Sequence, residues 1–318
     1  MSENSLLTEI RSFINQERKN KFSLASPHIT PAKRQHLQKM LDAGCLKSRF
    51  LFLPFDHGIE HGPSDFLKNL QSADPEFQLA LAKEGKFSGI VLHIGLAEKY
   101  WQKPQYKNYL PLLLKLNGKS NIVPDDDALS TLTGTVEDAQ KLGADAVGYT
   151  LYVGSPRQDE DFLQLLEVRQ AAQEAELPLV IWAYPRGKYA EEAGGKDCFA
   201  LVAYAARLAH ELGADITKSN APKPPKDGKY DEKGKFKNYN QLLDLTQEEQ
   251  LKWAVVNAGT TGVLVSGGSK LSDEDLLNKV GMAVEAGVDG IIFGRNMWQR
   301  KYDDALNITL RVKKTLSR

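Results

Sequence analysis

A lysine closes a short apolar run in "GADITKSNAP" (213–222), where Ala214, Ile216 and Thr217 read as a strand and Lys218 stands at its end. An amine held at a strand end inside a cleft can attack a substrate carbonyl and form a Schiff base. Burial and neighbouring cations would lower its pKa and raise the fraction of free amine at neutral pH. The plain alternative is a strand fraying into water, so the neighbouring groups must decide. Trp182 and Tyr184 lie two apart in "LPLVIWAY" (177–184), which puts them on one face of a strand. A tyrosine there can donate or accept a proton over a bound sugar. Core packing for Trp182 and a hydrogen-bonded rim position for Tyr184 are the competing readings.

Two further stretches, "VSGGSK" and "FGRN", bring Ser266, Gly267, Gly268, Gly294 and Arg295 to the ends of adjacent apolar runs. Glycine lets backbone N–H groups approach an anion closely. Arg295 adds a bidentate donor. Either stretch alone would serve as a tight turn; the two together point to phosphate. "FDHGIEHGP" supplies Asp56, His57, Glu60 and His61. On a helix, His57 and His61 could share a metal. Gly58 and Pro63 argue for a loop, where a spacing of four does not guarantee one face. The histidines are therefore read as hydrogen-bonding partners that hold the loop, and Asp56 as the carboxylate of the site.

These groups need a frame that gathers strand ends. Eight apolar runs recur along the chain, at 49–55, 88–94, 109–117, 145–153, 177–184, 214–219, 262–268 and 289–295. Near-continuous apolar strands suit a parallel sheet covered on both faces. Between most of them lie stretches with helical apolar spacing, several ending at a glycine (Gly85, Gly143, Gly213, Gly287) placed to adopt a left-handed cap. Eight strands alternating with helices over about 250 residues is the count of a (β/α)8 TIM barrel. A doubly wound sheet is the competitor, but no GxGxxG follows the first strand. In a barrel, chemistry gathers at the C-terminal strand ends, and phosphate sits by the loops after strands 7 and 8. Other polar residues expected at strand ends are His93, Lys115, Asn117, Tyr149, Tyr152 and Arg186.

The domain reading is an N-terminal helical extension over 1–48 and a barrel over 49–318. The barrel carries a Lys/Pro-rich insertion at 220–245, which is either a solvated surface loop or a lid over the barrel mouth. The next helix is expected from Thr246, where "TQEEQ" supplies an N-cap and early acids.

Composition narrows the partners. The 318 residues are 42% hydrophobic and 26% charged, and the 41 basic and 41 acidic side chains balance. No global field favours nucleic acid or an anionic membrane. Cys45 and Cys198 lack the spacing of a zinc cluster or redox pair. No run approaches the roughly 20 apolar residues of a membrane span, and "MSENSLLTEIRSF" does not read as a signal peptide. A cytoplasmic location is expected.

Taken together, "FDHGIEHGP", "AVGYTLYVGS", "VIWAYPRG", "GADITKS", "VSGG" and "GRNMWQR" resemble the archaeal-type class I fructose-1,6-bisphosphate aldolases, in that family's order from about residue 49 to 300. The resemblance implies a homo-oligomeric barrel acting on a sugar phosphate, with no metal and no cofactor. It puts the Schiff-base lysine at Lys218, the tyrosine acid/base at Tyr184 with Trp182 beside it, and the aspartate that contacts substrate hydroxyls at Asp56. It puts the phosphate loops at Ser266–Gly268 and at Gly294 with Arg295. The chain departs from the compact family pattern in its N-terminal segment, in the 220–245 insertion and in the Ser-Asn-Ala-Pro after Lys218. Another lysine-dependent aldolase or transaldolase-like enzyme, acting on a different phosphorylated ketose or dicarbonyl, would share the strand-end residues. A sugar-phosphate sensor would need neither Lys218 nor Tyr184.

Overall fold

In the computed structural model, which describes residues 3–16 and 21–318, the eight apolar runs form eight parallel strands closed into one barrel. They are β1 (Phe50–Pro54), β2 (Gly89–His93), β3 (Leu112–Lys115), β4 (Ala146–Val153), β5 (Leu179–Pro185), β6 (Ile216–Ser219), β7 (Gly262–Ser266) and β8 (Gly290–Ile292). Each pairs with its sequence neighbours, and β1 pairs with β8. A two-residue antiparallel pair, Asn117–Gly118 with Thr131–Leu132, closes the loop that follows β3.

Strand alternation divides the core in two. Phe50, Phe52, Val91, Leu113, Ala146, Val180, Trp182, Ile216, Leu264 and Ile292 point into the barrel, while their chain neighbours pack outward against the helices. Gly148, on β4, is small because of this interior. A Cβ there would come within 2.5 Å of the Trp182 ring and 2.7 Å of Leu113.

Residues 22–41 of the N-terminal segment form the floor of the barrel, while the helix Glu3–Ile14 packs outside, with Arg11 paired to Glu249. Ile29, Leu37, Met40 and Leu41 join the interior cluster with Phe50 and Phe52, and Phe22 meets Phe50 edge-on. Pro31 opens a helix. The helix Pro31–Gly44 has Thr30 as N-cap and Pro31 in its first turn, where a missing N–H costs nothing. Lys33 from this helix reaches Asp215, the residue before β6, at 2.8 Å. Residues 1–2 and 17–20 of the segment lie outside the described residues.

Other local expectations are met or revised. The helix Gln247–Asn257 starts at a Thr246 capping box closed by Glu249. Gly143, Gly213 and Gly287 take positive φ, but Gly85 does not: it remains right-handed at φ −71°, and Lys86 takes the left-handed turn instead. "DHGIEH" is no loop. His57–Glu60 forms one helical turn, the His61 N–H donates to the His57 carbonyl, and the two imidazoles stack 5.2 Å apart. Among the described residues no cluster of three or more His, Cys, Asp or Glu is arranged to hold a metal, and no helix is long and apolar enough to cross a membrane.

Most of the 220–245 insertion packs on the barrel flank. Tyr230 is buried with Ala190, Cys198 and Leu201, and its hydroxyl accepts from the Ala200 N–H. Only its first residues, Asn220, Ala221 and Lys223, reach the open end of the barrel.

Candidate active site

A cleft of about 980 Å³ opens at the C-terminal end of the strands. Of the residues singled out from the sequence, Asp56, His57, Glu60, His61, Tyr152, Tyr184, Arg186, Lys218, Ser266, Gly267, Gly268, Gly294 and Arg295 line it. Trp182 does not. It lies fully buried one layer below, as the floor under the lysine. Tyr149 also lies outside the cleft, since its odd position on β4 turns it outward. There its hydroxyl donates to Asp161 at 2.5 Å.

Lys218 sits opposite Trp182 in the β5–β6 register, and its ammonium lies 5.0 Å from the centroid of the Trp182 ring and 5.5 Å from that of Tyr184. It is 6% exposed and makes no ion pair among the described residues. Burial lowers its pKa; Arg295 adds to this, and the charges of Asp56 and Glu60 oppose it. The result is an amine that loses its proton more readily than a surface lysine.

The opposite charge comes from the end of β1. Burial would push the Asp56 carboxyl up, but the cationic charges, Lys218 foremost, outweigh it and hold the carboxyl below the ordinary carboxylate range. His57, 3.4 Å from Asp56, is pushed down to about 3 by burial and so is neutral at neutral pH. Glu60, on the same helical turn, has a buried oxygen without a hydrogen-bond partner among the described residues and faces Lys115 at 3.7 Å. Tyr184, above Lys218, has its pKa raised well above the usual phenol value by burial and then by Glu60, so it keeps its proton.

A second buried lysine lies nearby. Lys115, at the end of β3, is fully buried with its ammonium 5.4 Å from the Trp182 ring centroid. It donates to the Asn117 carbonyl at 2.6 Å and to the Asn117 side chain at 3.2 Å. Asn117 in turn accepts from the Thr150 N–H and donates to Ser130 and Thr150 carbonyls. Lys115 is thus fixed by three elements and lies below the cleft lining, whereas Lys218 is part of that lining.

The glycine stretches differ from one another. Gly268 takes φ +71° and has open space where a side chain would stand, as a backbone turned toward an anion requires. Gly267 and Gly294 are small for packing. A Cβ would meet Asn296 at 2.7 Å in the first case and His57 at 2.7 Å in the second. Asn296 fastens the two stretches together: its side chain accepts from the Leu271 N–H and donates to the Ser269 carbonyl. The Ser266 hydroxyl is directed to Asn220, whose amide donates to Asp197; Asp197 also holds Lys223 at 2.9 Å and faces Arg186 at 3.9 Å. This network ties the segment after Lys218 to β7 and to the loop after β5. Four lining lysines had no assigned role in the sequence reading: Lys119, held by Asp125 at 3.0 Å, Lys196, Lys223 and Lys279. Lys279 lies within a helix, far from any strand end in sequence, so only tertiary packing places it here.

Comparison with known proteins matches this geometry. Residues 50–300 fit the model of the DeoC/LacD family aldolases. Class 1 fructose-bisphosphate aldolases are similar over most of their length: that of Thermoproteus tenax is 41% identical over 271 residues, covering 85% of this chain and 90% of the relative. That of Halobacterium salinarum is 39% identical over 260 residues, covering 81% and 87%. An archaeal fructose-1,6-bisphosphate aldolase, solved with its catalytic lysine bound to a carbinolamine intermediate, superposes at a TM-score of 0.74 with 38% identity, covering 89% of this chain and 100% of that one.

Proposed function

From the premise that this chain belongs to the DeoC/LacD family of aldolases, we propose that it is a class I aldolase, cleaving fructose 1,6-bisphosphate reversibly to dihydroxyacetone phosphate and glyceraldehyde 3-phosphate. The observation that carries the reading is the buried, unpaired Lys218 amine on the floor of the cleft, between Asp56 and Tyr184.

Lys218 adds to the C2 carbonyl of the open-chain sugar, and loss of water leaves an iminium. Asp56, ionised, takes the proton of the C4 hydroxyl. The C3–C4 electron pair flows into the iminium, glyceraldehyde 3-phosphate departs, and an enamine remains on Lys218. Tyr184, which burial keeps protonated, delivers its proton to the enamine carbon. Hydrolysis then frees dihydroxyacetone phosphate and restores the amine, and the proton taken by Asp56 returns through solvent to the Tyr184 phenolate. The Gly268 turn and Arg295 hold a phosphate of the sugar, and the Trp182 ring holds the lysine upright beneath it. Assembly into a homo-oligomer belongs to the same proposal, with Leu163 and Leu166 as exposed apolar side chains on the helix Gln158–Glu174.

The test is steady-state cleavage by the purified protein across fructose 1,6-bisphosphate, fructose 1-phosphate and fructose 6-phosphate, with both triose products identified. The bisphosphate is expected to give the highest kcat/KM. Release of no triose phosphate from any of the three would contradict the reading.

A further inference from the structure

The helix Asp273–Glu285, which follows β7, buries Leu276, Val280, Ala283 and Val284 against the barrel. Lys279 stands beside this apolar stripe, half-buried, with its side chain lining the cleft alongside Gly267 and Gly268. A lysine stem covers apolar surface readily, but its ammonium ordinarily finds water or a carboxylate. Here it finds neither fully. Its one hydrogen bond is to the Gly267 carbonyl at 3.2 Å, and it makes no ion pair among the described residues. The charges that act on it most are Lys223, which repels it, and Asp197, which is already engaged by Lys223 and Asn220. Burial first, and then Lys223, bring its pKa down to about 8.

A cation without a counter-ion beside a glycine turn lacks an anionic partner. We propose that Lys279 is a direct ligand of a substrate phosphate, its ammonium supplying the charge that matches a phosphomonoester at the Gly267–Gly268 turn. This rests on the aldolase reading above and adds to it a residue that neither the strand ends nor the glycine motifs point to. Arg295 approaches the cleft from the end of β8 and Lys279 from the helix after β7, so the two cations reach the cleft from different elements. Charge-assisted contacts of this kind are among the stronger ones a phosphate makes.

A purely structural lysine would pin the Gly267 carbonyl and do no more, and the experiment separates the two roles. Inorganic phosphate and dihydroxyacetone phosphate are titrated calorimetrically into the wild type, Lys279→Gln and Lys279→Arg. Gln keeps a donor for the Gly267 carbonyl but no charge; Arg keeps the charge. Phosphate affinity is expected to fall at least tenfold in Lys279→Gln and to stay within about threefold in Lys279→Arg. Borohydride trapping of unphosphorylated dihydroxyacetone on Lys218 is expected to be equal in all three, which also shows that the variants fold. Wild-type phosphate affinity in Lys279→Gln would overturn the proposal, as would equal losses in both variants. Failure of the aldolase reading itself looks different: the wild type would then trap no ketose at all.

Discussion

Lys218 and Trp182 are partners in the β5–β6 register, and the lysine ammonium stands 5.0 Å from the indole ring centroid. That pairing sets the depth of the amine. The indole fills the barrel interior, and the lysine emerges just above it into the cleft, where Asp56 and Glu60 supply negative charge and burial favours the neutral amine.

Asp56→Asn separates the electrostatic part of this arrangement from the rest. The Asp56 charge raises the Lys218 pKa against the lowering by burial. Removing it should let that pKa fall further, so the pH midpoint of Schiff-base trapping should move to lower pH. Cleavage should drop by roughly 10²–10⁴-fold if the carboxylate is the base. A midpoint that stays put or rises would mean that Asp56 does not act on Lys218.

Tyr184→Phe removes only a hydroxyl. The amine and the phosphate loops are untouched, so borohydride should still trap substrate on Lys218. Proton exchange at C3 of dihydroxyacetone phosphate should slow by roughly 10²–10⁴-fold. Exchange at the wild-type rate would make Tyr184 a rim residue and shift attention to Asp56. Tyr149 is no substitute, since its hydroxyl is committed to Asp161 outside the barrel.

Arg295→Ala should raise KM for the bisphosphate more than it lowers kcat, by about 1.5–3 kcal/mol for a lost charge-assisted phosphate contact. Among the described residues Arg295 has only a loose partner, Asp65 at 3.8 Å, so the guanidinium is available to an anion. An unchanged KM would exclude contact with substrate.

Asp215→Asn tests how the N-terminal segment is fastened. The Asp215 carboxylate accepts from Lys33 and from the Leu179 N–H, each at 2.8 Å. The amide can keep the second bond, but the buried Lys33 charge loses its partner, at a cost of about 3–5 kcal/mol. The urea midpoint should fall clearly. An unshifted midpoint would show that Lys33 finds another partner.

Much of this was legible in the sequence because strands and helices impose short periods. The eight apolar runs and the Thr246 cap are local, and they appear where local rules put them. Alternation also put Trp182 and Tyr184 on one face. It could not say how deep each lies, and Trp182 proved to be floor while Tyr184 lines the cleft. Gly58 suggested a loop at "DHGIEH", yet the chain makes a helical turn there, stacking His57 on His61 with His57 edge-on to Trp298. Asn296 and Lys279 were invisible because each belongs to a helix and acts on a different loop through tertiary packing. The conformation of Gly85 turned on its neighbours: Phe87 and the Leu81 carbonyl crowd it, and Lys86 makes the turn.

Two buried lysines share the Trp182 ring, and only one of them lines the cleft. Which of them carries the Schiff base is decided by reducing the protein with borohydride in the presence of dihydroxyacetone phosphate and locating the added mass by peptide mapping. One adduct per chain is expected, on the peptide that contains Lys218, and none in Lys218→Met with its fold intact by circular dichroism. An adduct on Lys115, or one that persists in Lys218→Met, would rule out Lys218 as the Schiff-base lysine.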